Sequence, residues 1–111
     1  SVDLSEGGIA GSMQGWQERQ IGWTRKSGNS YTYVFTAPNS TIEWKVLGQK
    51  AWGPIGYSDA TVALDGTWVE LKRDRRGAPN IITTGLNRGQ TYEITISITH
   101  DNKVRAKIEW F

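Results

Sequence analysis

Six tryptophans and four tyrosines stand against two phenylalanines in this chain of 111 residues. Tryptophan and tyrosine join a flat apolar ring to a polar edge, so a surplus of them favours half-buried or ligand-facing positions over a plain core. The stretch KAWGPIGY, 50–57, sets Trp52 and Tyr57 among Gly53, Pro54 and Gly56. Those breakers make it a poor helix and a poor central strand, so it reads as a loop, and loops run over the surface. Trp16 and Trp23 sit in glycine-flanked segments and are candidates for exposure too. The chemistry open to such rings is stacking. The axial C–H face of a pyranose packs on a π surface while its equatorial hydroxyls bond to amide and guanidinium groups. Gln17, Arg19, Gln20, Gln49 and Asn80 are available partners. The expected ligand-binding set is Trp52, Tyr57, Trp68, Trp23, Trp16, Gln49 and Arg75.

Covalent and acid–base chemistry find little support. With no cysteine, disulfides, thiol nucleophiles and thiolate metal sites are excluded. The one histidine, His100, falls in a predicted turn with no metal-ligand spacing around it, and no nucleophile-elbow motif is present. Glycosidase chemistry needs two carboxylates across a cleft, whereas Glu18, Glu43, Glu70, Glu93 and Glu109 mostly fall on outward strand positions. The chain therefore reads as a non-enzyme without a cofactor. Asp3, Asp59 and Asp65 offer hard oxygen ligands for a structural calcium, but without EF-hand spacing, and Asp65 is already accounted for by a turn.

The run KRDRRGAPN carries Lys72, Arg73, Arg75 and Arg76. It reads either as a solvated charged loop or as a cationic rim for carboxylated ligands. A net charge of +2 is too mild for the basic surface that nucleic acid requires. No run of about 18 apolar residues is present, and SVDLSEGG lacks the basic and apolar regions of a signal peptide, so no membrane partner is expected.

Strands must position these side chains. In YEITISI, Tyr92, Ile94, Ile96 and Ile98 alternate with polar residues, and in VRAKIEW so do Val104, Ala106, Ile108 and Trp110. Superposing the two apolar faces requires an odd loop, met by His100, Asp101 and Asn102, which pairs Ile98 with Val104 and Glu93 with Glu109. In ATVALDGTWVEL the Asp65-Gly66 pair predicts a hairpin that opposes Val62 to Val69 and Ala60 to Leu71, leaving Trp68 on the polar face. Upstream, Tyr31, Tyr33 and Phe35 share one face, as do Ile42, Trp44 and Val46, with Pro38, Asn39 and Ser40 turning between them. Trp44 and Trp110 read as core. QIGWT and VDL are weaker strands, and GGIAGSMQGW reads as loop or sheet edge. No helical periodicity and no internal repeat is present. About seven short strands in one domain, 1–111, predict an all-β antiparallel sandwich of jelly-roll-like type.

A cysteine-free all-β chain with surplus tryptophan, a hairpin ATVALDGTWVELK and a strand GLNRGQTYEITISI resembles the β-sandwich carbohydrate-binding modules attached to bacterial polysaccharide-degrading enzymes. The resemblance covers the overall plan and the last half of the chain. It implies a secreted, monomeric, non-catalytic module that holds a covalently linked hydrolase or lyase near plant cell-wall glycan of β-glucan type, such as cellulose, xyloglucan or mannan. Surface tryptophans then form the platform, placed here on Trp52, Tyr57 and Trp68. Two alternatives stand beside it: an acidic polysaccharide such as pectin on the basic loop, and an immunoglobulin-like spacer or protein-interaction domain.

Overall fold

The computed structural model describes residues 1–111 as two antiparallel sheets packed face to face, with helix limited to two single 3-10 turns. One sheet holds β1 (Gly8–Gly11), β4 (Ile42–Leu47), β5 (Gly56–Ser58), β7 (Lys72–Arg73) and β8 (Ile81–Thr83). Its centre is β4, which pairs with β1 on one side and is shared by β5 and β8 on the other. The second sheet runs β2 (Arg25–Ser27), β3 (Ser30–Thr36), β9 (Thr91–Ile98), β10 (Val104–Trp110), β6 (Val69–Glu70). The expected antiparallel sandwich is the observed fold, and the glycine-rich GIAG segment is the edge strand β1.

The alternating strands supply the interior. Ile42, Trp44 and Val46 of β4 meet Tyr92, Ile94 and Ile96 of β9 and Ile108 of β10 in one buried cluster. Trp44 is fully buried, and its Nε1 donates to Thr83 Oγ1 at 3.1 Å, so the indole's one polar group is satisfied. The buried Tyr92 hydroxyl accepts the Asn87 amide at 2.7 Å and ties the preceding turn to its strand.

The C-terminal hairpin has the register that its apolar faces require. Ile98 opposes Val104 and Glu93 opposes Glu109. The Thr99 amide bonds to the Lys103 carbonyl at 2.9 Å, leaving His100, Asp101 and Asn102 as the loop, with Asn102 left-handed at φ 64°.

The predicted hairpin around Asp65-Gly66 does not form, although its turn does. The Asp65 carboxylate accepts the Thr67 amide at 2.9 Å, and Gly66 takes φ 75°. The two arms then part. Ala60 and Val62 bond to Ile82 of β8, while Val69 pairs with Ala106 of β10. Docked in this way, the segment carries the chain from one sheet to the other, and Val62 and Val69 both pack on the core. A lone two-stranded ribbon would leave each arm with fewer partners.

Trp110 also departs from expectation. It follows the inward alternation of Ile108 and leans on Tyr92 at 5.5 Å, but it is 56% exposed because the strand outruns the opposing layer.

Candidate ligand-binding site

Two loops at one end of β4 bring Trp16 and Trp52 together. Their ring centroids are 6.0 Å apart and their planes are inclined by 33°. The first loop, 12–22, folds over the outer face of the β4 sheet. There Ala10, Leu47 and Ile21 form a small apolar patch separate from the main core, and Trp16 packs on it.

Gln14 fixes this loop from within. Its Oε1 accepts the Gly11 amide at 2.7 Å, and its Nε2 reaches the carbonyls of Ile9 and Gln20 and the Tyr33 hydroxyl. Burial raises the Tyr33 phenol above its ordinary value, opposed by the hydrogen bond from Gln14, so the hydroxyl stays a neutral partner. Gly15 and Trp16 are both left-handed, at φ 64° and 61°. Glycine takes that conformation freely; a tryptophan there costs about 1–2 kcal/mol, which the loop's hydrogen bonds and the indole's packing offset.

The second loop joins β4 to β5. The Gly48 amide closes it on the Ile55 carbonyl at 2.9 Å. Gln49 Nε2 bonds to the carbonyls of Ala51 and Ile55 at 2.9 and 3.1 Å, holding the turn that carries Trp52. Trp52 is 49% exposed, so much of its ring is open to solvent beside Trp16.

The rest of the expected set is dispersed. Tyr57 lies in β5 rather than in a loop and is only 8% exposed, because its alternation with Gly56 and Ser58 turns the ring inward; Arg73 caps it at 5.9 Å. Trp23 is half-buried against Tyr31, and its Nε1 donates to the Leu4 carbonyl at 2.7 Å, so it latches the N-terminal segment to the core. Trp68 does face the polar side of a sheet, but of the other sheet. Arg105 and Lys107 of β10 lie 4.6 and 4.8 Å from its ring. Trp52, Tyr57 and Trp68 thus do not share one surface, and the ring that lies beside Trp52 is Trp16. Gln49 supports the loop of Trp52 through its amide nitrogen, and Arg75 pairs with Asp59 at 3.4 Å.

Sequence reasoning missed Gln14, whose only signal was a polar side chain within a glycine-rich segment. It also missed a half-buried ion pair on the outer face of β4. Lys45 meets Asp74 at 2.6 Å, and the Ser58 hydroxyl donates to the same carboxylate. The residues given to a calcium ion do not converge: Asp3 and Asp65 each accept a local backbone amide, and no group of three or more acidic or histidine side chains gathers anywhere. His100 sits exposed at its hairpin tip.

The molecule's concavities are open, and neither Trp16 nor Trp52 lines one. One, of about 330 Å³, lies between Leu64–Gly66 and Ile108–Trp110; two of about 380 Å³ adjoin Tyr57, Arg73 and Asn102. The aromatic pair is therefore an open surface, suited to an extended ligand rather than an enclosed small molecule.

No family model and no curated protein matches this chain. Among solved structures it is similar to a chain described as "Ligand induced structure of AmyP-SBD", with a TM-score of 0.60 over 90% of this chain and 69% of that one. Sequence identity is 14%, so the likeness is one of fold.

Proposed function

We propose that this domain binds a polysaccharide without chemistry of its own, stacking successive sugar rings on Trp16 and Trp52. The observation that carries the reading is the pairing of two indoles from separate loops, one exposed and one held in a strained backbone, 6.0 Å apart. Each stacked ring contributes on the order of 0.5–1.5 kcal/mol beyond its buried area. Binding at one such site is weak, and attachment to an enzyme outside the cell would make it effective through local concentration.

The inclination of the rings supports a curved chain. A flat β-1,4-glucan suits coplanar platforms, whereas an α-1,4-glucan turns from unit to unit and suits planes inclined as these are, by 33°. The solved chain of the same fold is a starch-binding domain, which supports the same preference. The reading therefore moves from the cell-wall β-glucan expected from sequence to a starch-like α-glucan.

The basic run offers less to an acidic polysaccharide. Arg75 is paired with Asp59, Lys72 Nζ bonds to the Asp59 carbonyl, and Arg73 bonds to the Pro54 carbonyl. Affinity electrophoresis in gels containing soluble starch, xyloglucan or pectin tests the proposal. Starch should retard the domain and Trp52→Ala should abolish the retardation with an unchanged circular dichroism spectrum. Retardation by xyloglucan alone would restore the β-glucan, and undiminished binding by Trp52→Ala would remove the platform.

A further inference from the structure

The outer face of β4 continues the tryptophan surface as a polar track. Leu47, Lys45 and Glu43 share that face, since Trp44 and Val46 point into the core. Successive positions on the face are two residues, about 6.7 Å, apart. Leu47 lies beneath Trp16. One step on, Lys45 is joined to Asp74, which lies against Gly56 and Ser58 of β5. A methyl group on Gly56 would come within 2.8 Å of the Asp74 carboxylate, so the glycine makes room for it. One step further, Glu43 accepts from Asn80 Nδ2 at 3.2 Å, and its strand neighbour Ile82 is 38% exposed.

The last two steps thus present fixed donors and acceptors, half-buried at Lys45, Asp74 and Asn80 and exposed at Glu43. Lys45 has three N–H donors, of which Asp74 takes one, and its side chain is 17% exposed. Strand registers and the ion pair hold these groups before any ligand arrives, which lowers the ordering cost of binding. The charges on the track are Lys45 against Asp74 and Glu43, with Asn80 neutral. A uronate chain would lay its carboxylates against two of like sign.

Resting on the reading of Trp16 and Trp52 as the stacking platform, we propose that the bound chain runs along β4. Its next units are hydrogen-bonded by Lys45 and Asp74 and then by Glu43 and Asn80, and this track selects a neutral glucan over an acidic one.

Calorimetric titration with maltooligosaccharides of about two, four and six units tests this, with oligogalacturonate as the acidic probe. In the parent, affinity should rise about tenfold from the shortest to the longest, from a few added hydrogen bonds. Lys45→Met with Asp74→Asn keeps an acceptor for Ser58 and leaves no unpaired charge; Glu43→Ala with Asn80→Ala alters only surface groups. Each should keep the short-sugar affinity within about twofold and flatten the rise with length. The Glu43 and Asn80 variant gives the same readout should the variant of the half-buried pair fail to fold. A full rise with length in both double variants would overturn the track, as would oligogalacturonate binding as tightly as the longest neutral sugar. Loss of short-sugar binding in Trp52→Ala reads on the platform alone, so the two ideas fail separately.

Discussion

Trp16 and Trp52 touch across two loops that share no backbone hydrogen bond with each other, their planes inclined by 33° at 6.0 Å. Each loop is fixed independently by a half-buried glutamine, Gln14 for one and Gln49 for the other. The aromatic surface therefore depends on two separate networks, one anchored on both sheets through Ile9 and Tyr33 and one confined to the 48–55 loop.

The left-handed backbone of Trp16 makes a prediction that separates strain from packing. Trp16→Ala and Trp16→Gly both delete the indole and its contacts with Ala10, Ile21 and Leu47. Only glycine is unstrained at φ 61°. Trp16→Gly should therefore be more stable than Trp16→Ala by about 1 kcal/mol in urea denaturation, while neither binds glucan. An alanine variant as stable as the glycine variant would show that the backbone relaxes once the ring is gone.

Gln49 should act on binding through Trp52. Gln49→Ala removes both of that side chain's bonds to the 48–55 loop, a loss of about 1 kcal/mol, and leaves the Arg73 bond to the Pro54 carbonyl. Starch affinity should drop severalfold, and the loop's amides should exchange faster with deuterium. Unchanged exchange with lost affinity would instead make Gln49 a direct contact.

How much of this was legible in the sequence follows from the range of the interactions. The β9–β10 hairpin was readable to the residue because alternation and a short turn are local, and Ile98 does oppose Val104. Trp44 was readable as core for the same reason. The Asp65-Gly66 turn was readable too, but its arms were not, because their partners Ile82 and Ala106 are distant in the chain. Tyr57 misled because Gly53 and Pro54 signal a loop that ends one residue before β5 begins. Trp16, the companion of Trp52, could be named as a candidate, yet nothing local to it revealed that loop 12–22 folds back over Leu47.

Acid should weaken the fold through its turns. Hydrogen bonds lower the carboxyl pKa of three exposed aspartates below the ordinary 3.8: from Thr99 at Asp101, from Thr67 at Asp65 and from Ser5 at Asp3. A carboxyl depressed in the folded state adds stability that is fully present above its unfolded pKa and is lost as pH falls through the folded one. Stability should thus be flat at neutral pH and decline as pH drops below about 4. Asp65→Asn, which keeps an acceptor for the Thr67 amide, should make that decline shallower in thermal melts at pH 3 and 6; an identical decline would assign the acid sensitivity to other carboxyls.

Trp68 distinguishes the indole pair from the three-ring platform expected from sequence. It belongs to the opposite sheet, where its ring lies against Arg105 and Lys107, contacts worth about 0.5–1 kcal/mol at an exposed site. Trp68→Ala should lower stability modestly and leave starch retardation as in the parent. Binding on the indole pair should also hold between low and high salt, since stacking carries no net charge to screen, whereas a ligand held by Lys72, Arg73 and Arg76 would be released. Loss of binding in Trp68→Ala would move the site to the opposite sheet, and its collapse with added salt would move it from the indole pair to the basic residues around β7.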